Sequence, residues 1–111
     1  MSDSAALTMV RGDLPDDLWS AYAASSLIAW DIETSGLDWR QDRIGTCQLF
    51  AQGVGTVVVS ADQSQVPRQL TALLQDPGVE KVFHHASFDL RFMVGRWGGP
   101  SSVNTMHEGG V

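Results

Sequence analysis

At 111 residues the chain has room for one small domain and not for two. Hydrophobic residues at 43% against charged residues at 18% exclude a disordered or collagen-like polymer. The net charge of −6, from 13 acids and 7 bases, excludes a protein that grips nucleic-acid phosphates through a basic face alone, so any phosphate ligand would need cations to bridge it.

The lone cysteine, Cys47, cannot form an internal disulfide. The opening Met1-Ser2-Asp3-Ser4 has neither the basic nor the apolar region of a secretory leader, and no apolar run reaches bilayer length. The expectation is a soluble, cytoplasmic protein with no membrane partner.

In chain order, Leu7 to Val10 reads as a short strand. Asp13-Leu14-Pro15-Asp16-Asp17 reads as a helix start, since acids suit the positive end of the helix dipole and proline suits the first turn. Leu14, Leu18 and Tyr22 recur at helical spacing, and the helix should stop near Ser25-Ser26. Leu27 to Glu33 begins with four apolar residues and predicts a strand buried on both faces, as in a central sheet. Ile44 to Phe50 and Gly55 to Ser60 predict two strands joined by a tight turn at Ala51-Gln52-Gly53. Val66 to Leu74 predicts a helix closed by Asp76-Pro77-Gly78, and Val79 to His84 a further strand. Ser87 is the expected N-cap of a last helix, whose Phe88, Phe92 and Met93 share one face before Gly98-Gly99-Pro100. Ser102-Val103 is a candidate strand start. The fold class is therefore α/β, a mixed sheet flanked by helices, in one domain spanning residues 1–111.

Asp31 and Glu33 stand two apart on a strand and so point to the same face. Paired carboxylates at a buried strand end repel each other and resist desolvation, and a divalent cation relieves both problems. A turn with two solvated acids is the plainer reading of so short a pattern. Asp89 falls in the first turn of a helix that follows a strand. There it is either a dipole-stabilised acid or part of a site. His84 and His85, if on a strand, point to opposite faces, one packed and one toward the site or solvent. Cys47 reads as a small core residue.

In combination these segments carry a resemblance. Asp31-Ile32-Glu33-Thr34-Ser35-Gly36-Leu37 resembles the first motif of the DEDD superfamily of 3′–5′ exonucleases, Asp-x-Glu-Thr-x-Gly-Leu. His85-Ala86-Ser87-Phe88-Asp89 resembles the second, and Arg43, Ile44, Gln48 and Leu49 look like the family's second strand. The ribonuclease D branch is the most similar, which implies a ribonuclease H-like fold. The resemblance implies two-metal hydrolysis of phosphodiester bonds with Mg²⁺ or Mn²⁺ at the 3′ end of a single-stranded RNA or DNA. It implies that Asp31 bridges the metals, Glu33 holds one and helps place the attacking water, and Asp89 supports the second. It assigns Thr34, Gly36, Leu37, His85 and Phe88 to substrate contact. The family's third motif, Tyr or His with Asp four positions on, has no counterpart, because Tyr22 is the only tyrosine and no Asp follows Asp89. The expectation is a C-terminally truncated domain lacking the last helices. It would be weakly active, or an inactive module that binds metal, nucleic acid or protein, with its sheet covered by a second copy or a partner chain.

Overall fold

A computed structural model describes residues 7–98 and the backbone of residues 105–108. The elements are β1 (Leu7–Arg11), α1 (Asp16–Ala23), β2 (Leu27–Thr34), β3 (Ile44–Ala51), β4 (Gly55–Ser60), α2 (Arg68–Gln75), β5 (Glu80–Phe83), α3 (Ala86–Trp97) and β6 (Thr105–Glu108). They build one mixed sheet in the order β1-β4-β3-β2-β5-β6. β3 runs antiparallel to β2 and β4; the other neighbours are parallel. The expected α/β class and nearly all expected elements are present. Ser102-Val103 lies outside the described residues; the last strand is described at Thr105–Glu108.

The β3–β4 hairpin turns where Gly53 takes φ of +82°, a left-handed conformation that costs glycine nothing. α2 begins after Pro67, whose fixed φ suits a helix entrance. The start of α3 differs from expectation: His85 is the N-cap residue and makes no side-chain capping bond, while Ser87 is already inside the helix. At the other end Gly98, at φ +65°, closes α3 in the left-handed conformation typical of a helix stop.

Among the described residues, one face of the sheet is covered and the other is not. Along β2, Ile28, Trp30 and Ile32 are buried while Leu27, Ala29 and Glu33 are exposed. The expectation of a strand buried on both faces is therefore corrected. β2 is central in the sheet, yet among the described residues no element covers its second face. The covered face packs Ile28, Trp30, Leu49 and Val57 against Tyr22 of α1, Leu70, Leu73 and Leu74 of α2, and Phe92 and Met93 of α3.

Polar groups inside this core are mostly tied to backbone. The Tyr22 hydroxyl donates to the carbonyl oxygens of Gly55 (2.8 Å) and Leu49 (3.2 Å), locking α1 to the β3–β4 hairpin. Burial pushes its phenol up to about 12. Lys81, fully buried on β5, donates from Nζ to the Asp76 carbonyl at 2.5 Å, just past α2, where the helix end attracts a cation. Burial lowers its ammonium and nearby Asp76 opposes that shift. Cys47 is buried, as expected, and burial holds its thiol protonated.

The substitution Tyr22→Phe should cost about 1–3 kcal/mol of stability in urea denaturation, because it leaves a buried carbonyl pair without its donor while keeping the ring's packing.

Candidate active site

The sheet register arranges the open face into three cross-strand rows. The first is Leu7, Thr56, Phe50, Ala29 and Val82. The second is Met9, Val58, Gln48 and Asp31, and the third is Arg11, Ser60, Thr46 and Glu33. The face is therefore apolar at one end and acidic at the C-terminal end of β2. As the two-residue period requires, Asp31 and Glu33 share it. Asp31 opens on a cleft of about 670 Å³ with Ala29, Gln48, Phe50, Val82 and His84. Glu33 opens on a neighbouring hollow of about 320 Å³ with Arg43, Thr46 and Gln63. A separate enclosed cavity of about 60 Å³, beside Cys47, Leu70 and Trp97 on the covered face, holds none of the expected site residues.

β5 runs parallel to β2, so α3 starts at the same sheet end and delivers Asp89 there. Asp89 is 3% exposed. Its backbone N–H donates to the His85 carbonyl at 2.9 Å, but its Oδ2 is buried with no hydrogen-bond partner among the described residues. Burial, and then the charges of Asp31 and Glu33, push its carboxyl up to about 7. A buried partnerless carboxyl facing two further acids is costly without a cation and suits one with hard oxygen preferences. That donor set fits Mg²⁺ or Mn²⁺. Among the described residues, however, no three acid, histidine or cysteine side chains are already gathered at metal-holding spacing. The three carboxylates share an electrostatic field without forming a closed coordination shell.

The remaining expected site residues surround this end. Thr34 Oγ donates to the Gly36 carbonyl at 2.6 Å. Leu37 is 86% exposed at the tip of the following loop. Phe88 is half-buried with its ring 5.0 Å from Phe92. His84 and His85 depart from expectation: β5 ends at Phe83, both are exposed, and their rings meet edge to face at 4.6 Å.

Sequence reasoning missed how the loop 35–43 is held. Asp42 accepts from Ser35 Oγ (3.2 Å) and from the Asp38 backbone N–H (2.9 Å). The Ser35 N–H donates to the Arg43 carbonyl, closing the loop. Gly36 makes room for this anchor, since a Cβ there would stand 2.5 Å from Asp42 Oδ2. The loop also lays Trp39 on α3 at Gly95, where a side chain would collide with the indole. The glycine at 36 and the acid at 42 were visible as residues, but their pairing crosses six positions with no periodic signal.

Asp89 sets a pH dependence of stability. Its folded value, about 7, lies above the ordinary 3.8, so between those limits the folded state holds the proton more tightly. Its contribution is favourable near pH 4, is lost as pH rises to 7, and stays lost above. Asp89→Asn should therefore stabilise the metal-free protein over wild type at pH 8, with the advantage vanishing toward pH 4–5, in urea titrations with chelator. An advantage independent of pH would show that Asp89 is not the titrating group.

A family model described as 3′–5′ exonuclease matches residues 9–100. Among solved structures, Brucella melitensis NrnC bound to pGG is 28% identical at a TM-score of 0.74, covering 83% of this chain and 44% of that one. NrnC from the same organism with bound Mg²⁺ is 27% identical at 0.77, covering 95% and 50%. Escherichia coli RNase D, an exoribonuclease involved in structured RNA processing, is 28% identical at 0.62, covering 87% and 26%. The chain thus spans half or less of the length of these solved relatives. No curated protein matches it. The ribonuclease H-like mixed sheet, the acids at its open end and the match over most of the sequence agree: the chain belongs to the 3′–5′ exonuclease family.

Proposed function

We propose that this domain hydrolyses phosphodiester bonds at the 3′ end of a single-stranded nucleic acid, using Mg²⁺ or Mn²⁺ held by Asp31, Glu33 and Asp89. The observation that carries this reading is the buried, partnerless Asp89 carboxyl placed in the field of Asp31 and Glu33. NrnC with pGG and with Mg²⁺ supports it from outside, as does the exoribonuclease RNase D. When bound, a divalent cation neutralises phosphate charge and lowers the pKa of a coordinated water.

The chain's own residues then have distinct tasks. Asp31 accepts the Ile32 N–H on Oδ1 at 3.0 Å, which fixes its carboxylate at the strand end. Glu33, exposed on the same face, is free to hold a cation and orient water. Asp89 must lose its proton to become a ligand, so cation loading is favoured as pH rises through about 7. Thr34, Gly36, Leu37, His85 and Phe88 line the approach of the 3′ end.

A second reading, an inactive module that binds metal, nucleic acid or protein, is favoured by one observation: no ready-made three-ligand cluster exists among the described residues. Hard cations want six or more oxygens, and three separated carboxylates give a weak site. Calorimetry with Mn²⁺ should give weak binding that Asp31→Ala abolishes; unchanged binding in that variant would move the site elsewhere. Release of mononucleotides from end-labelled single strands should be very slow for this chain. Robust turnover lost in Asp89→Ala would refute the expectation of low activity, and turnover untouched by Asp31→Ala would refute the assignment of the site.

The open face also supports an assembly. Leu7 is 63% exposed, Met9 75% and Leu27 40%, and with Ala29, Phe50 and Val82 they make an apolar surface among the described residues. Contiguous surfaces of this kind commonly mark interfaces. Self-association through this face, or capture of a partner chain, follows. Light scattering at micromolar concentration should show a species larger than the 12.0 kDa monomer, reduced by Met9→Glu. A well-folded monomer at all concentrations would exclude self-association.

A further inference from the structure

We propose that Trp39, Arg40 and Arg91 form a subsite for the stretch of single strand on the 5′ side of the bond being cut, the indole stacking a base and the arginines holding phosphates. The proposal rests on the exonuclease reading and adds where the rest of the strand is held. An enzyme working from the 3′ end keeps the terminal nucleotide at the carboxylates, so the remaining strand must leave in the 5′ direction. On a chain of net charge −6 that path needs local positive charge.

The supply of such charge is narrow. Of the seven cationic side chains, Lys81 is buried, and the six exposed ones are all arginine. Arginine is the residue suited to forked contacts with phosphate. Arg40 and Arg43 stand on the loop that follows Glu33, and Arg91 stands on the helix that carries Asp89. Gly95 and Arg91, four apart, share one face of α3. Helical side chains lean toward the helix N-terminus, so Arg91 leans from the Trp39 contact toward the Asp89 end. From Asp89 to Gly95 the helix rises about 9 Å along its axis, and Arg91 and Gly95 lie on its exposed side while Asp89 is buried, so the strand must pass over the first turns of α3 to reach this subsite.

Trp39 is poised for stacking. Its ring is half-buried, seated on the bare backbone at Gly95, so its position is set before any ligand arrives. The Asp42 anchor stiffens the loop beneath it. The Arg40 guanidinium now lies 5.3 Å from the ring centroid and 3.7 Å from Asp38 in a solvent-exposed pair worth little. A base can take over that ring surface while Arg40 turns to the adjoining phosphate. Stacking of this kind tolerates any base.

The test compares strand lengths on the intact 111-residue chain. Anisotropy of fluorescein-labelled oligouridylates of two and of eight nucleotides, in Ca²⁺ to hold back turnover, reads the two affinities. Wild type should bind the longer strand at least tenfold more tightly. Trp39→Leu should weaken the longer strand roughly five- to hundredfold. Because Trp39→Leu could loosen the loop, the exposed pair Arg40→Gln with Arg91→Gln is the second variant. It should erase most of the length advantage and flatten the salt dependence by about two charges. Arg68→Gln, on α2, should change neither affinity. Loss of equal size for both lengths, or a full length advantage in the arginine variant, would overturn the subsite and leave the exonuclease reading standing. A wild-type chain that binds neither the dinucleotide nor Mn²⁺ would overturn both.

Discussion

The register of β2 between β3 and β5 is the constraint on which the rest depends. The antiparallel pairing sets Asp31 opposite Gln48 and Glu33 opposite Thr46, so both acids share one face at one end. The parallel pairing of β2 with β5 brings the start of α3 to that same end, and with it Asp89. A slip of one residue in β2 would drive both carboxylates into the packed helices and turn Trp30 and Ile32 out to solvent. Strong apolar burial at Ile28, Trp30 and Ile32 forbids that slip, so core packing is what aims the acids.

The site is bought at the expense of local stability. Asp89 enters the interior without a donor for Oδ2, and the two nearby acids oppose its ionisation. Elsewhere two polar side chains of the same core are satisfied: Tyr22 bridges two carbonyls and Lys81 holds the Asp76 carbonyl at the end of α2. Asp89 is the buried acid among the described residues, which puts the largest electrostatic cost at the sheet end where β2 and β5 finish. Trp19 and Trp30 are milder cases, because each leaves a neutral indole N–H, not a carboxyl, buried without a partner among the described residues.

Much of this was legible from residues. The hairpin at Gly53, the helices after Pro15 and Pro67, and the shared face of Asp31 and Glu33 follow from turn chemistry and period-two geometry. The one-sided burial of β2 was not legible. Leu27 and Ala29 read as apolar in sequence, but burial depends on whether another element arrives, which composition of one strand does not encode. Ser87 misled as a cap because Ala86 already has helical geometry and the N-cap position falls on His85. The His84–His85 pair misled because the strand stops at Phe83, removing the alternation that would have separated the rings. The roles of Asp42 and Trp39 depend on a loop closing on itself and on a helix, contacts between residues with no common period.

The seat of Trp39 on Gly95 couples two positions 56 residues apart in the sequence. A methyl group at 95 would stand 2.4 Å from the indole, so the ring would have to shift to admit it. The two positions are therefore not independent during divergence. A side chain at 95 is admitted more readily once the bulk at 39 is lost, whereas loss of the tryptophan makes no demand on position 95.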